Sequence, residues 1–193
     1  TGAEIITGLI PCNSIADEIL TDHPDRFRAM IIESSNPVHS LAGSARFRQA
    51  MEALEFSVVF DVVMTETGRL ADYVLPSSSQ FEKPEAVFFN FEFPNNVFSL
   101  RKPVLEPPAD AIAEPEIHTR LIEALGLLDH GDVAPLRAAA EDGRSEFAAA
   151  FATTISNKPE LAKVGAALLY RTLGPTLPDG LAGAAALWFP LQM

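Results

Sequence analysis

Apolar residues in the first half of the chain fall into short blocks of two alternating kinds. "EIITGLI" (4–10), "RAMIIESSNP" (28–37), "FSVVFDVVMTE" (56–66) and "DYVLP" (72–76) are short, rich in β-branched residues and bounded by turn formers, which predicts strands. Between them, "NSIADEILTD" places Ile15, Ile19 and Leu20 on one helical face with Asn13 or Ser14 as cap. "LAGSARFRQAMEAL" does the same with Phe47, Met51 and Leu54, and "TGRLA" (67–71) predicts a short helical turn. The run "SVVF" is apolar without alternation, as in a strand buried on both faces. Strands alternating with helices predict an α/β fold, with a Rossmann-like, mostly parallel sheet flanked by helices.

The texture changes at Pro76. Residues 76–116 hold many prolines and the aromatic cluster "VFFNFEFPNNVF", and predict an extended loop with one or two short strands. Pro115 then opens the helix "EIHTRLIEALG", which Gly126 ends. Beyond it "APLRAAAED", "SEFAAAFATTI" and "PELAKVGAALLYRTLG" predict an Ala-rich helical C-terminal extension, with a hinge at "GPTLPDG". The organisation expected is an α/β domain over 1–126 and a helical extension over 127–193.

Charge narrows the partners. The formal net charge is −12, of which residues 1–126 carry −10. Nothing in such a chain would release condensed counterions from a phosphate backbone, so no nucleic-acid partner is expected. The longest apolar run, "LAGAAALWFPLQM", is too short for the roughly 20 residues of a membrane span. One cysteine, Cys12, excludes an internal disulfide and a Cys-rich zinc or iron–sulfur site within the chain; it is expected to be a small buried hydrophobe, in a reducing, cytoplasmic setting, with a periplasmic one left open for a parent enzyme. The chain opens at Thr1 with no initiator Met and is expected to be a piece of a longer protein.

Phosphate-loop, nucleophile-elbow and zinc-protease motifs are absent, and the four histidines lack ligand spacing. Polar residues at strand ends remain, where ligands sit in open α/β sheets. Asn36 follows "AMIIESS", Asp61 ends "SVVF", and Lys83 lies in the loop after "DYVLP". A carboxylate such as Asp61 accepts two parallel hydrogen bonds, matching the paired N–H donors of guanine, and a lysine supplies a point charge for an oxygen anion. Each also has a plain role: Asn-Pro as turn initiator, Asp61 as acceptor for loop amides, Lys83 paired with Glu82. Thr65 and Glu66 are expected to cap and charge the short helix at 67–71.

Taken together, "NP" after a strand, "VVFDVVMTETGRLADYVLP" and "SQFEK" resemble the dimethyl-sulfoxide-reductase family of molybdenum oxidoreductases, which includes formate dehydrogenases and nitrate reductases. The match runs in order from about Ile31 to Gly126 and includes "EPEIHTRLIEALG". The resemblance implies a Rossmann-like domain that binds the guanosine part of a molybdopterin guanine dinucleotide. It carries cofactor contacts onto Asn36, the Phe60–Asp61 pair and Lys83, with Glu114 as a further acidic contact. It also implies that molybdenum, any iron–sulfur cluster and the substrate funnel belong to remaining domains of a parent enzyme. Cys12 does not match the position of a metal ligand, so no catalytic or metal residue is assigned within the chain. "EKPEAVFFNFEF" has Pro84 and aromatics where many members have a Gly-rich turn. Other roles stay open: a cofactor-free structural or interaction module with the same fold, or a self-sufficient nucleotide-binding protein.

Overall fold

A computed structural model describes residues 2, 5, 8–90, 97–178 and 180–189. Residues 4, 6 and 7 of the strand expected at 4–10, the middle of the aromatic cluster and the last four residues lie outside these. The chain forms two compact units, Thr1–Ser77 and Ser78–Met193.

The first unit runs α1 (Cys12–Leu20), β1 (Ala29–Glu33), α2 (Pro37–Ser40), α3 (Ser44–Ala53), β2 (Phe56–Asp61), a 3-10 turn (Gly68–Leu70) and β3 (Tyr73–Pro76). The three strands form a parallel sheet in the order β1-β2-β3, with Ile32 opposite Val59 and Val59 opposite Val74. Because side chains alternate along a strand, these three share one sheet face. They meet Ala16 and Ile19 of α1 and Phe47, Ala50 and Met51 of α3 in one buried cluster. Central β2 buries Ser57 through Phe60 in succession, as its unbroken apolar run requires. β1 alternates instead: Ile32 is buried and Ile31 is 57% exposed.

Asp72 ties the amino end of β3 to β2. Its Oδ2 accepts the Ser57 amide (2.7 Å) and hydroxyl (3.0 Å), and its own amide donates to Ser57 Oγ (3.2 Å). The buried Ser57 in an otherwise apolar strand is thereby satisfied.

The second unit opens with an antiparallel pair, β4 (Glu85–Asn90) and β5 (Val97–Arg101). Helices α4 (Glu114–Ala124), α5 (His130–Asp142), α6 (Arg144–Asn157), α7 (Gly165–Thr172) and α8 (Ala185–Trp188) follow. Leu128, Leu136, Phe147, Leu161, Leu168 and Ala185 form their shared core. Phe189 stands edge-on to Phe147 at 5.3 Å between centroids, so the start of the apolar tail packs inside this unit. Among the described residues no helix is long and apolar enough to cross a membrane.

Several boundaries differ from the sequence reading. Cys12 is exposed, not buried: it shares the helical stripe of Ala16 and Ile19, but as the first residue of α1 it lies a full turn ahead of Ala16, where the buried cluster begins. That helix has no side-chain cap; the Ser14 hydroxyl bonds back to the Pro11 carbonyl (2.8 Å). β2 ends at Asp61, and Val62, Val63 and Met64 form an exposed loop. Helix α5 starts five residues before Pro135 because Asp129 accepts the Asp132 amide (3.0 Å) and Asp132 accepts the Asp129 amide (3.4 Å), a reciprocal cap. "PELAKVGAALLYRTLG" divides into a 3-10 turn (Pro159–Val164) and α7. Helix α4 begins and ends as expected, with Pro115 in its first turn and Gly126 left-handed at φ 70° just beyond it.

Within this unit Arg171 fastens α7 to α4. Its guanidinium takes both Glu123 oxygens (2.7 and 2.9 Å) and also reaches Glu116 (2.6 Å), which Arg120 contacts at 2.7 Å. Partial burial works against ionisation of Glu116. Hydrogen bonds from Arg171 and Arg120 outweigh it and hold this carboxyl below its ordinary value of 4.5. Such a depressed carboxylate contributes stability that is complete above its unfolded value and is lost as pH falls through the folded one. Arg171→Met is therefore expected to cost about 2 kcal/mol at pH 7, between an exposed pair and a broken buried one. It should also flatten the loss of stability below pH 4.5, the ordinary Glu116 value. Urea titrations at several pH values check both; an unchanged acid limb would contradict the assignment.

Candidate functional site

The carboxyl ends of β1, β2 and β3 carry the polar residues of the first unit. Past β1, Ser34 adopts a left-handed φ of 50° and donates its amide to the Phe60 carbonyl (2.9 Å), which extends the pairing into the loop. The chain then reaches Asn36, the residue before α2. Its backbone carbonyl accepts the amides of His39 (3.0 Å) and Ser40 (2.9 Å), so the Asn-Pro turn role holds.

The side chain of Asn36 does more. Its Oδ1 accepts both the amide (3.2 Å) and the hydroxyl (2.7 Å) of Thr67, and its Nδ2 donates to Glu66 Oε2 (2.6 Å). Thr67 Oγ1 in turn accepts the Val38 amide (3.1 Å) and is wholly buried. One threonine thus joins the loops after β1 and β2. Thr65 Oγ1 accepts the Gly68 amide (3.1 Å), but the residue that precedes the 3-10 turn is Thr67, which makes no side-chain cap bond, and the turn has no acid in its first residues, so Glu66 lies ahead of the place expected for it. Glu66 is held below the ordinary carboxylate range first by the Asn36 bond, then by its own backbone and the charges of His39 and Arg69.

Asp61 closes β2. Its Oδ1 accepts the Val62 amide (2.7 Å), and its carbonyl accepts the Ser77 amide (3.0 Å) from the end of β3. The other carboxylate oxygen has no partner among the described residues. Ser77 Oγ is likewise buried without a hydrogen-bond partner among them, a polar group that ordinarily finds one. Phe60, immediately before, is fully buried and acts as core. The strand end therefore holds an acceptor and a hydroxyl with bonding capacity to spare.

Lys83 and Glu114 belong to the second unit, which brings them together across 31 residues of sequence: Lys83 Nζ donates to Glu114 Oε1 at 2.5 Å. Their side chains are 19% and 8% exposed, so the pair is largely withdrawn from water. Glu82 does not pair with Lys83; its Oε2 accepts the Ser79 amide (2.8 Å). A cavity of about 330 Å³ borders Lys83, walled further by Pro84, Pro115, Tyr170, Gly183 and Leu187. Ser77, Thr67 and Asp72 were not legible as functional or organising groups from sequence, since short polar side chains after strands are common. The one usable signal was the spacing of "TETGRLAD", whose polar residues recur where two loops must be joined.

A parallel sheet with polar side chains gathered at its carboxyl ends is the frame of an α/β domain that holds a ligand beyond its strands. The sequence profile described as molybdopterin oxidoreductase matches residues 7–124, more than half of the chain, and the chain belongs to that family. It is 31% identical over 111 residues to the probable oxidoreductase YyaE of Bacillus subtilis, covering 58% of this chain and 16% of that protein. It is 34% identical over 112 residues to the F420-dependent formate dehydrogenase subunit alpha of Methanocaldococcus jannaschii, again 58% and 16%. Among solved structures, acetylene hydratase from Pelobacter acetylenicus superposes with a TM-score of 0.54 at 25% identity, over 64% of this chain and 17% of that one. The chain thus spans about a sixth of the length of these relatives.

Thr67→Val keeps the shape and removes the hydroxyl, leaving the buried Val38 amide and one Asn36 lone pair without partners. The expected cost is about 2–4 kcal/mol, from the lost bonds and the unpaired buried groups. Thr67→Ser should recover most of it. Denaturant midpoints of the two variants check this, and a loss in Thr67→Ser with none in Thr67→Val would show that the methyl group, not the hydroxyl, matters.

Proposed function

We propose that this chain is the domain of a molybdenum-dependent oxidoreductase that holds the guanosine part of a molybdopterin guanine dinucleotide. In the intact enzyme the molybdenum and its pterin supply the redox chemistry; this chain binds and orients the tail. The observation that carries the reading is Asp61, at the carboxyl end of the central strand, with one carboxylate oxygen unengaged in a chain of this family. That acceptor is complementary to the N1–H and N2–H donors of guanine and not to adenine. The unpartnered Ser77 hydroxyl fits the same donor-rich and acceptor-rich ligand. Asn36 serves as a further contact. Lys83 and Glu114 act as a unit, the carboxylate setting the position of the ammonium group beside the cavity that Lys83 lines.

The substrate site, the metal ligand, any iron–sulfur cluster and the redox partner belong to other domains of the parent enzyme. On this reading the isolated chain binds nucleotide and does not turn over.

Calorimetric titration of the chain with GDP, ADP and XDP tests the assignment. GDP is expected to bind at least about tenfold more tightly than ADP, the worth of one good bidentate contact. Asp61→Asn replaces an acceptor by a donor and should move the preference from guanine to xanthine, whose O2 accepts where guanine N2 donates. Equal binding of GDP and ADP by the unaltered chain would remove the guanine-site reading.

A further inference from the structure

The amide of Asn36 has four hydrogen-bonding positions, two on oxygen and two on nitrogen. Three are used inside the first unit. The Thr67 amide and hydroxyl fill the oxygen, and Glu66 takes one N–H. Turning the amide over would set its NH2 against two donors and its oxygen against a carboxylate, so only one orientation is compatible with these neighbours. The second N–H has no partner among the described residues, and Asn36 is only half-buried.

We propose that Thr67 and Glu66 are positioning residues, holding Asn36 so that its remaining N–H is the one group it offers a ligand, and that the ligand atom it takes is an oxygen acceptor of the nucleotide tail. This rests on the function proposed above for the identity of the ligand, and not for the positioning itself. It divides the labour at the strand ends: Asp61 accepts from donor groups, and Asn36 donates to an oxygen of phosphate, ribose or base carbonyl. It also gives Glu66 a purpose that an exposed first-turn acid would not have. Its charge strengthens the bond to Nδ2 beyond that of a neutral partner. Asn36, its own backbone, His39 and Arg69 favour the ionised form of the Glu66 carboxylate and together outweigh the opposing effect of desolvation.

The test is nuclear magnetic resonance of the whole chain labelled with nitrogen-15, following the two side-chain N–H signals of Asn36. One of them is expected to shift with a midpoint below 4.5, the ordinary Glu66 value, and the shift should vanish in Glu66→Gln. Adding guanosine, GMP and GDP in turn should move the other signal, and the first member of the series to do so identifies the oxygen as ribose or base, first phosphate, or second phosphate. Glu66→Gln, an exposed change, should weaken GDP binding about three- to tenfold, as a charge-assisted bond becomes neutral. The GDP-to-ADP ratio, set at Asp61, should stay within about twofold. Thr67→Ser should behave as the unaltered chain. An Asn36 amide indifferent to the Glu66 titration overturns the positioning whatever nucleotide does. Bound GDP that leaves the second N–H unmoved overturns the donor role. Absence of any preference for GDP over ADP instead counts against the function proposed above, while the titration still decides the positioning.

Discussion

Thr67 is the point on which the first unit turns. Its buried hydroxyl donates to Asn36 and accepts from Val38, so the segment after β1 and the segment after β2 are joined through one oxygen atom. Parallel strands cannot be linked by tight hairpins, and the loops at their carboxyl ends have no ladder to hold them. Something else must fix those loops if they are to present side chains to a ligand. Here a threonine hydroxyl, an asparagine amide and a carboxylate do so, and the low exposure of the hydroxyl makes the arrangement costly to leave half-made.

The second unit answers a different problem with charge. Its helices are rich in alanine, which packs closely but offers little side-chain volume. Aromatic contacts among Phe147, Phe151 and Phe189 fill part of the gap. Arg171 supplies direction, because its planar fork meets Glu123 with two parallel bonds while reaching Glu116. Arg137 then caps the Arg171 carbonyl with two bonds, at 3.2 and 2.8 Å. Helix α4, where the family match ends, is therefore fastened to a helix that lies beyond that match. The Lys83–Glu114 pair follows the same logic, joining a loop to the first residue of α4.

Local pattern carried the strands and helices of the first unit. The unbroken apolar run around Val59 became the central strand, and the spacing of Phe47 and Met51 became the buried face of α3. Pro115 and Gly126 marked α4 because each restricts backbone dihedrals whatever its surroundings. Where a boundary depended on a side chain bonding to distant or reciprocal backbone, the pattern was silent: α5 begins at His130 because two aspartates cap each other. Cys12 was misplaced because a small sulfur-bearing side chain next to a strand-like run reads as core, and only the tertiary structure shows that the packed stripe of α1 begins one turn later, at Ala16.

The sequence by itself determined the class of fold, the family and the strand-end positions of Asn36 and Asp61, since all of these follow from short-range periodicity and a motif of fixed order. Tertiary structure alone decided what those residues touch. Asn36 meets Thr67 and Glu66 about thirty positions away, Lys83 meets Glu114 across a similar distance, and Asp72 satisfies the buried Ser57. A hydrogen bond depends on angstrom-scale placement of two groups, and no spacing along the chain encodes that placement once the partners lie on different elements. In "MTETGRLADYVLP" the apolar letters therefore declared a turn and a strand, while the polar ones acquired their meaning only after the loops had been brought together.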